Sequence, residues 1–311
     1  MSVPEKILVI KLGALGDIVQ AMAPAAAIRA HHGDAEIVFL TTALFAALAR
    51  QAPYFDAVWI DERPRSPTGL WRLRRRLREG RFDRVYDFQT RPRTALYYWL
   101  IRDGRRPQWS GTAAGASHPH RHPRRNRMHT LDRQEEQLRL AGVAGPVGLP
   151  ELSWAASDVA KFALPPEYVL LIPGGAAHRP EKRWPAENYA ALAARLAAAG
   201  LTPVIIGGAE EHPLGRAIAA AAPQAIDLTG ATEFGDIAAL GGRARRAIGN
   251  DTGPIHLAVA GGAAATVLYS AASDPALTAP RGPDIVVLRR DNLAELDVDI
   301  VAATVLDRRR R

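Results

Sequence analysis

The chain has 311 residues, 48% of them hydrophobic, which is enough for two domains with a core apiece. A formal charge of +8 directs attention to anionic partners: a nucleotide, a phosphorylated lipid, nucleic acid or a membrane face. With no cysteine, disulfides and thiolate chemistry are excluded, and a reducing compartment fits.

Short β-branched runs alternate with Ala-, Leu- and Arg-rich helical stretches from end to end. The first, KILVIK (Lys6 to Lys11), runs into an apolar segment that Lys11 and Asp17 interrupt, so it reads as mature structure and not as a signal peptide. EIVFLTT (Glu36 to Thr42), AVWIDE (Ala57 to Glu62), RVYDFQ (Arg84 to Gln89) and a short run near Gln108 to Gly111 follow. A Gly- and Pro-rich stretch from Gly142 to Pro166 reads as a linker. Beyond it come YVLLIPG (Tyr168 to Gly174), TPVIIGG (Thr202 to Gly208), AIDLTG (Ala225 to Gly230), RAIGND (Arg246 to Asp251), ATVLYS (Ala265 to Ser270) and DIVVLR (Asp284 to Arg289). Strands apolar throughout and separated by helices predict βαβ units and parallel sheets covered on both faces: α/β, twice over, with domains at 1–155 and 156–311. The nearest approach to a membrane span, Leu257 to Ala272, is broken by Gly261 and Gly262.

Three strand ends carry chemistry. In KLGALGDIVQ, Gly13 and Gly16 permit a tight turn and Asp17 falls near a helix start. Asp17 is either a first-turn carboxylate favoured by the helix dipole or a catalytic group at the cleft edge, and the Gly-x-x-Gly-Asp spacing is not the dinucleotide fingerprint. In LIPGGAAHRPEKRWPAENYAAL, Gly174 and Gly175 turn the chain, Lys182 and Arg183 project positive charge, Trp184 packs and Pro185 marks a helix start. Lys182 is either a solvated loop cation or an anion ligand. GNDTGPIHLAVAGG is built like an anion site: Gly253 relaxes the backbone, Pro254 suits the first helical turn, and the N–H groups there can take phosphate oxygens. Asp251 or Thr252 is alternatively a cap, and His256 either donates to the same anion or is a satisfied half-buried histidine.

Elsewhere, SHPHRHPRRNRMH (Ser117 to His129) is His-rich, but its prolines and arginines predict a mobile basic loop and not a metal site. Arginine is densest between Arg63 and Arg133. In WRLRRRLREGR, Arg72, Arg75, Arg76 and Arg78 cannot all be buried on one helix, so this is a basic surface, either simply solvated or suited to anionic lipid head groups. The tail DRRRR (Asp307 to Arg311) is either a frayed end or a membrane contact.

Taken together, ILVIKLGALGD, PGGAAHRPEKRWP and GNDTGPIHLAVAGG, in that order, resemble glycosyltransferase family 9, the bacterial ADP-heptose:lipopolysaccharide heptosyltransferases. The resemblance implies a GT-B fold: two Rossmann-like domains with mostly parallel sheets facing a central cleft, acceptor on the first, nucleotide sugar on the second, and the last helix packing back on the first. It implies Asp17 as catalytic base and Lys182 on the donor phosphate. Asp251, Thr252, Gly253 and His256 match the donor-holding D-T-G-x-x-H motif, and a ribose-binding glutamate falls at Glu210, with Glu211 the near alternative. Gly13, Gly16, Gly174 and Gly175 would form the backbone near the cleft. Well-known members carry serines ahead of the Gly-Asp pair where this chain has Gly13 and Ala14.

The expectation is therefore an inverting, metal-independent glycosyltransferase moving heptose from ADP-heptose to a lipopolysaccharide core or related glycan. One carboxylate deprotonates the acceptor, and a lysine with a helix N-terminus stabilises the leaving diphosphate without a divalent ion. No cofactor is expected beyond the nucleotide-sugar substrate. The partners are that donor and a glycolipid or glycan acceptor, with no nucleic acid; the expected location is the cytoplasm, either free or in peripheral contact with the cytoplasmic face of the inner membrane. Alternatives are another nucleotide-sugar donor, a catalytically silent nucleotide-binding protein, or a nucleic-acid-binding protein, against which stand 6% aromatic content and the lack of a recognisable motif.

Overall fold

A computed structural model describes residues 4–155, 157–176 and 178–307, so the arginines of the basic tail, 308–311, lie outside the described residues. The chain divides between Pro150 and Glu151 into two compact units.

In unit 1 the strands are β1 (Lys6–Ile10), β2 (Glu36–Thr41), β3 (Ala57–Ile60), β4 (Arg84–Asp87), β5 (Gln108–Gly111) and β6 (His118–Pro119). They alternate with the helices α1 (Leu15–His31), α2 (Ala43–Gln51), α3 (Pro67–Glu79), α4 (Pro92–Leu100) and, after β6, α5 (Thr130–Leu140). Unit 2 contains β7 (Tyr168–Ile172), α6 (Ala186–Ala198), β8 (Thr202–Ile205), α7 (His212–Ala221), β9 (Ile226–Asp227) and α8 (Phe234–Arg243). It continues through β10 (Arg246–Asn250), α9 (Gly253–Ala260), β11 (Ala265–Tyr269), α10 (Pro275–Thr278), β12 (Ile285–Arg289) and α11 (Val298–Leu306). Every strand expected from the apolar runs is present. Each pairs in parallel with its neighbours.

Both sheets are six-stranded, ordered β3-β2-β1-β4-β5-β6 and β12-β11-β10-β7-β8-β9. Counted within its own unit, the second order is the first read from the other edge, so the two topologies are the same doubly wound pattern. Its direction reverses beside the first strand, between β1 and β4 and between β7 and β10. The crevice outside the carboxyl ends of such a pair is where open α/β sheets bind ligands.

The central strands can sit there because they are apolar on both faces. Leu8, Ile10, Val38, Leu40 and Val85 pack with Trp109 and Tyr97 in unit 1. In unit 2, Val169, Leu171, Ile205, Ile248 and Leu268 pack with Tyr189, Leu192 and Leu196 of α6. The last described helix, α11, adds Val301, Ala302 and Val305 to that core, against α6.

One expectation is corrected. The His-rich segment is not a mobile loop: it supplies edge strand β6, a 3-10 turn at Arg125–Arg127 and the residue that caps α5, His129, whose Nδ1 accepts from Leu131 N at 3.2 Å. The reason is side-chain satisfaction. His120 is buried and hydrogen-bonded on both ring nitrogens, which charge counting along the sequence does not register.

Candidate functional site

The loops after β1 and β4 surround a cavity of about 800 Å³ in unit 1. Backbone and side chain tie these loops together: Phe88 N donates to Ile10 O at 3.0 Å, and Leu12 N donates to Gln89 Oε1 at 2.9 Å. Gly13 has φ +130, which L side chains rarely adopt, so glycine is required where the chain leaves β1. Gly16 lies inside the first turn of α1. Asp17, also in that turn, accepts from Ala14 N at 3.3 Å through Oδ2, while Oδ1 lies 3.5 Å from Lys11 Nζ. Its side chain is 40% exposed and lines the cavity, so it serves the helix start and stays open to the cavity at once.

Around Asp17 the cavity wall is cationic: Lys11, Arg63, Arg91, Arg125 and Arg133 all line it. Lys11 is almost wholly buried and donates to Phe88 O at 3.3 Å; burial pulls its ammonium below the ordinary lysine value, and the Asp17 carboxylate pulls it partly back. Burial lowers Arg133 too, again opposed by Asp17. Arg125 is pushed down to about 10 by burial, with Arg133 beside it. Beneath them Asp87, buried at the end of β4, is pushed up to about 6 by desolvation, against the N–H groups of Thr90 and Gln89 that its Oδ1 accepts at 2.9 and 3.0 Å. Two cavity residues hold positive φ without being glycine, Arg63 at 50 and Thr90 at 47. For the β-branched Thr90 this is a strained conformation of the sort that collects at ligand sites.

In unit 2 the corresponding crevice is organised by a residue that the sequence reading did not single out. Asn250, the last residue of β10 and fully buried, donates through Nδ2 to Pro173 O (2.8 Å) and Gly174 O (3.1 Å). Its Oδ1 accepts from Trp184 N (3.0 Å) and Tyr189 OH (3.2 Å). One amide thus clamps the loop after β7, the Lys182 segment and α6 to the end of β10. Its partners lie 61 to 77 residues away along the chain, so no local pattern marked it.

With that clamp set, Lys182 Nζ meets Asp251 Oδ2 at 2.6 Å. Thr252 occupies the N-cap position of α9 but makes no side-chain capping bond, so neither it nor Asp251 is spent on the cap. Gly253 and Pro254 open the helix, and His256 is buried one turn in. Gly174 is packed so closely that a Cβ there would lie 2.9 Å from Glu211 Cγ. Gly175 O accepts from Arg183 Nη2. Glu211, whose Oε2 accepts from Gly208 N at 2.8 Å, is the glutamate turned toward this glycine loop, whereas Glu210 is exposed. Trp184 is core, as expected.

The structure therefore brings Gly174, Lys182, Glu211 and Asp251 to the carboxyl ends of β7, β8 and β10, with Thr252, Gly253 and His256 on the adjoining helix start. Asp17 and Gly13 belong to the unit 1 cavity. Among the described residues no cluster of His, Cys, Asp and Glu suited to a metal ion occurs.

Known proteins resemble this chain in sequence and architecture. The family model for glycosyltransferase family 9 (heptosyltransferase) matches residues 70–301. The chain spans about a third to about two thirds of the length of the curated relatives it matches. Lipopolysaccharide heptosyltransferase 2 of Escherichia coli is 29% identical over 68% of this chain and 66% of that protein. The solved structure of E. coli ADP-heptose LPS heptosyltransferase II is 23% identical, with a TM-score of 0.80 over 96% of each chain. E. coli heptosyltransferase WaaC with ADP is 19% identical, with a TM-score of 0.77 over 97% of this chain and 99% of that one. These likenesses fit two parallel Rossmann-like units of GT-B type, and since the family match covers most of the sequence, the chain belongs to glycosyltransferase family 9.

Proposed function

We propose that the protein transfers a heptose from ADP-heptose to an anionic lipopolysaccharide-core acceptor, with inversion and without a divalent metal. The observation that carries this is the Lys182–Asp251 pair at the uncapped start of α9, on the switch point of unit 2. Lys182 and the first N–H groups of α9 offer a diphosphate the positive charge and directed donors that stabilise a leaving group. Glu211, beside the glycine loop, is placed to accept from a ribose hydroxyl, and the neighbouring Glu210 points to solvent. The ADP bound in the WaaC structure and the heptosyltransferase relatives favour an adenine nucleotide.

Unit 1 supplies the other half. Asp17 accepts the proton of the attacking hydroxyl while Lys11, Arg125 and Arg133 hold negative charge on the acceptor. Displacement at the anomeric carbon by that hydroxyl, with ADP leaving, inverts the configuration in one step. The exposed face of α3, with Trp71 at 57% exposure and Arg75 stacked over it, favours contact with anionic head groups where such an acceptor resides.

The test supplies ADP-heptose and matched UDP and GDP sugars with a truncated lipopolysaccharide core, with and without EDTA, and follows nucleotide release and the anomeric NMR signal. Transfer from ADP-heptose alone, unaffected by EDTA and lowered by about a hundredfold or more in Asp17→Asn, is expected. Undiminished transfer in that variant sinks Asp17 as base; preference for another nucleotide overturns the donor; retained configuration overturns direct displacement.

A further inference from the structure

Arg125 is set into the unit 1 cavity by a relay that starts in the core. His120, 1% exposed, has Nδ1 3.2 Å from Arg125 Nε and Nε2 3.1 Å from Glu136 Oε2 of α5. An arginine Nε–H can only donate, so His120 Nδ1 is the acceptor and carries no proton; its Nε2–H then donates to Glu136. Arg125 Nη2 donates onward to Thr90 Oγ1 at 2.7 Å, and Thr90 N is held by Asp87 Oδ1. The chain Glu136–His120–Arg125–Thr90 therefore runs from α5 to the loop after β4, and its last two members line the cavity. Among the described residues no salt bridge reaches Arg125; Asp87 favours its charge without pairing with it, and the guanidinium lines the cavity.

We propose that His120, oriented by Glu136, is a positioning residue that fixes the Arg125 guanidinium toward an anionic group of the acceptor. The inference rests on reading this cavity as the acceptor site. Proton gain at Nδ1 removes the acceptor for Arg125 Nε–H and sets an imidazolium against a guanidinium. The charged groups facing His120 are Glu136, which favours its cation, and Arg125 and Arg133, which oppose it. Burial, with the two arginines, outweighs Glu136 and holds the imidazole below the ordinary histidine value. The relay is thus intact at neutral pH and above, and is lost as pH falls through that lowered value.

The experiment follows the arginine Nε–H resonances of the whole chain by ¹⁵N NMR across pH, with Arg125 assigned by its loss in Arg125→Lys. In the wild type the Arg125 signal should be slowly exchanging above the His120 transition and lost below it. His120→Ala should lose it throughout. His120→Asn, whose side-chain oxygen keeps an acceptor near the Nδ1 position without titrating, should retain it at acid pH. Inorganic phosphate serves as the anion probe: it should shift the Arg125 signal in wild type and His120→Asn, and its affinity, read by calorimetry, should be at least about fivefold weaker in His120→Ala. With the truncated core as acceptor, His120→Ala should raise the acceptor KM about tenfold while kcat and donor KM stay within about twofold. His120→Asn should restore that KM and flatten the acid limb. A phosphate response that ignores position 120, or an unchanged acceptor KM in an active His120→Ala enzyme, overturns the proposal. If phosphate behaves as stated and no sugar is transferred, the transferase reading fails while the positioning of Arg125 stands.

Discussion

Lys182 and Asp251 are 13% and 10% exposed, and their contact at 2.6 Å is shielded from water on most sides. Removing one partner strands the other in a poorly solvated crevice, so Lys182→Ala and Asp251→Asn should each cost about 1–3 kcal/mol in urea unfolding. The double variant should cost less than the two together, with a coupling of about 0.5–3 kcal/mol, whereas strict additivity would show that the pair carries no mutual stabilisation. Lys182→Ala should in addition lose affinity for ADP. At this scale the sequence was legible where chemistry is local. Asp17, Lys182 and the Asp251–His256 turn announce themselves by standing between an apolar strand and a helix. Asn250 and His120 were not legible, because their role lies in partners far along the chain, such as Pro173 for Asn250 and Glu136 for His120. Glu210 and Glu211 are adjacent in sequence and differ only in which one the start of α7 turns inward.

Helix α9 shows how an element earns its place. Of the two glycines that close its motif, Gly261 serves packing, since a Cβ there would overlap the Ala238 carbonyl of α8, and Gly262 holds φ +108; from the α8 side, a Cβ on Gly241 would meet Ala258 of α9. That close approach seats the C-terminal half of α9 against α8. Helix α3 is built the other way. Ser66 caps it by accepting from Gly69 N at 3.2 Å, and Leu73 and Leu77 anchor one stripe. Arg72, Arg74, Arg75 and Arg76 remain on the exposed side with Trp71, so the basic surface read from the sequence is real. A cationic face with an indole suits a head-group layer better than bulk water alone. Trp71→Ala combined with Arg75→Glu should therefore weaken cosedimentation with phosphatidylglycerol vesicles several-fold, with about 2 kcal/mol or more lost in binding and the melting temperature little changed. Equal binding by the variant would return α3 to a merely solvated face.

At the scale of the molecule, the apolar runs specified which segments become strands, because a run buried on both faces has few alternatives. They did not specify strand order, which depends on pairings between distant segments, nor the extra edge strand β6, whose two residues carry no β pattern. The order matters for function: it puts residues 13–17 next to 89–92 in unit 1, and 174–176 and 182 next to 251–256 in unit 2. If donor and acceptor chemistry are divided in this way, each ligand leaves its own imprint on amide exchange. ADP at saturating concentration should slow exchange in 173–184 and 250–256, where the Lys182 segment and the α9 start meet it. The amides of 12–17, 88–92 and 125–133 should be slowed by the lipopolysaccharide core instead, least at Thr90, whose N–H already bonds to Asp87. Protection of the unit 1 loops by ADP, with none in the unit 2 loops, would exchange the two assignments. It would also make Asp17, now read as the acceptor's base, a neighbour of the nucleotide, where its carboxylate would repel the diphosphate it has to accommodate.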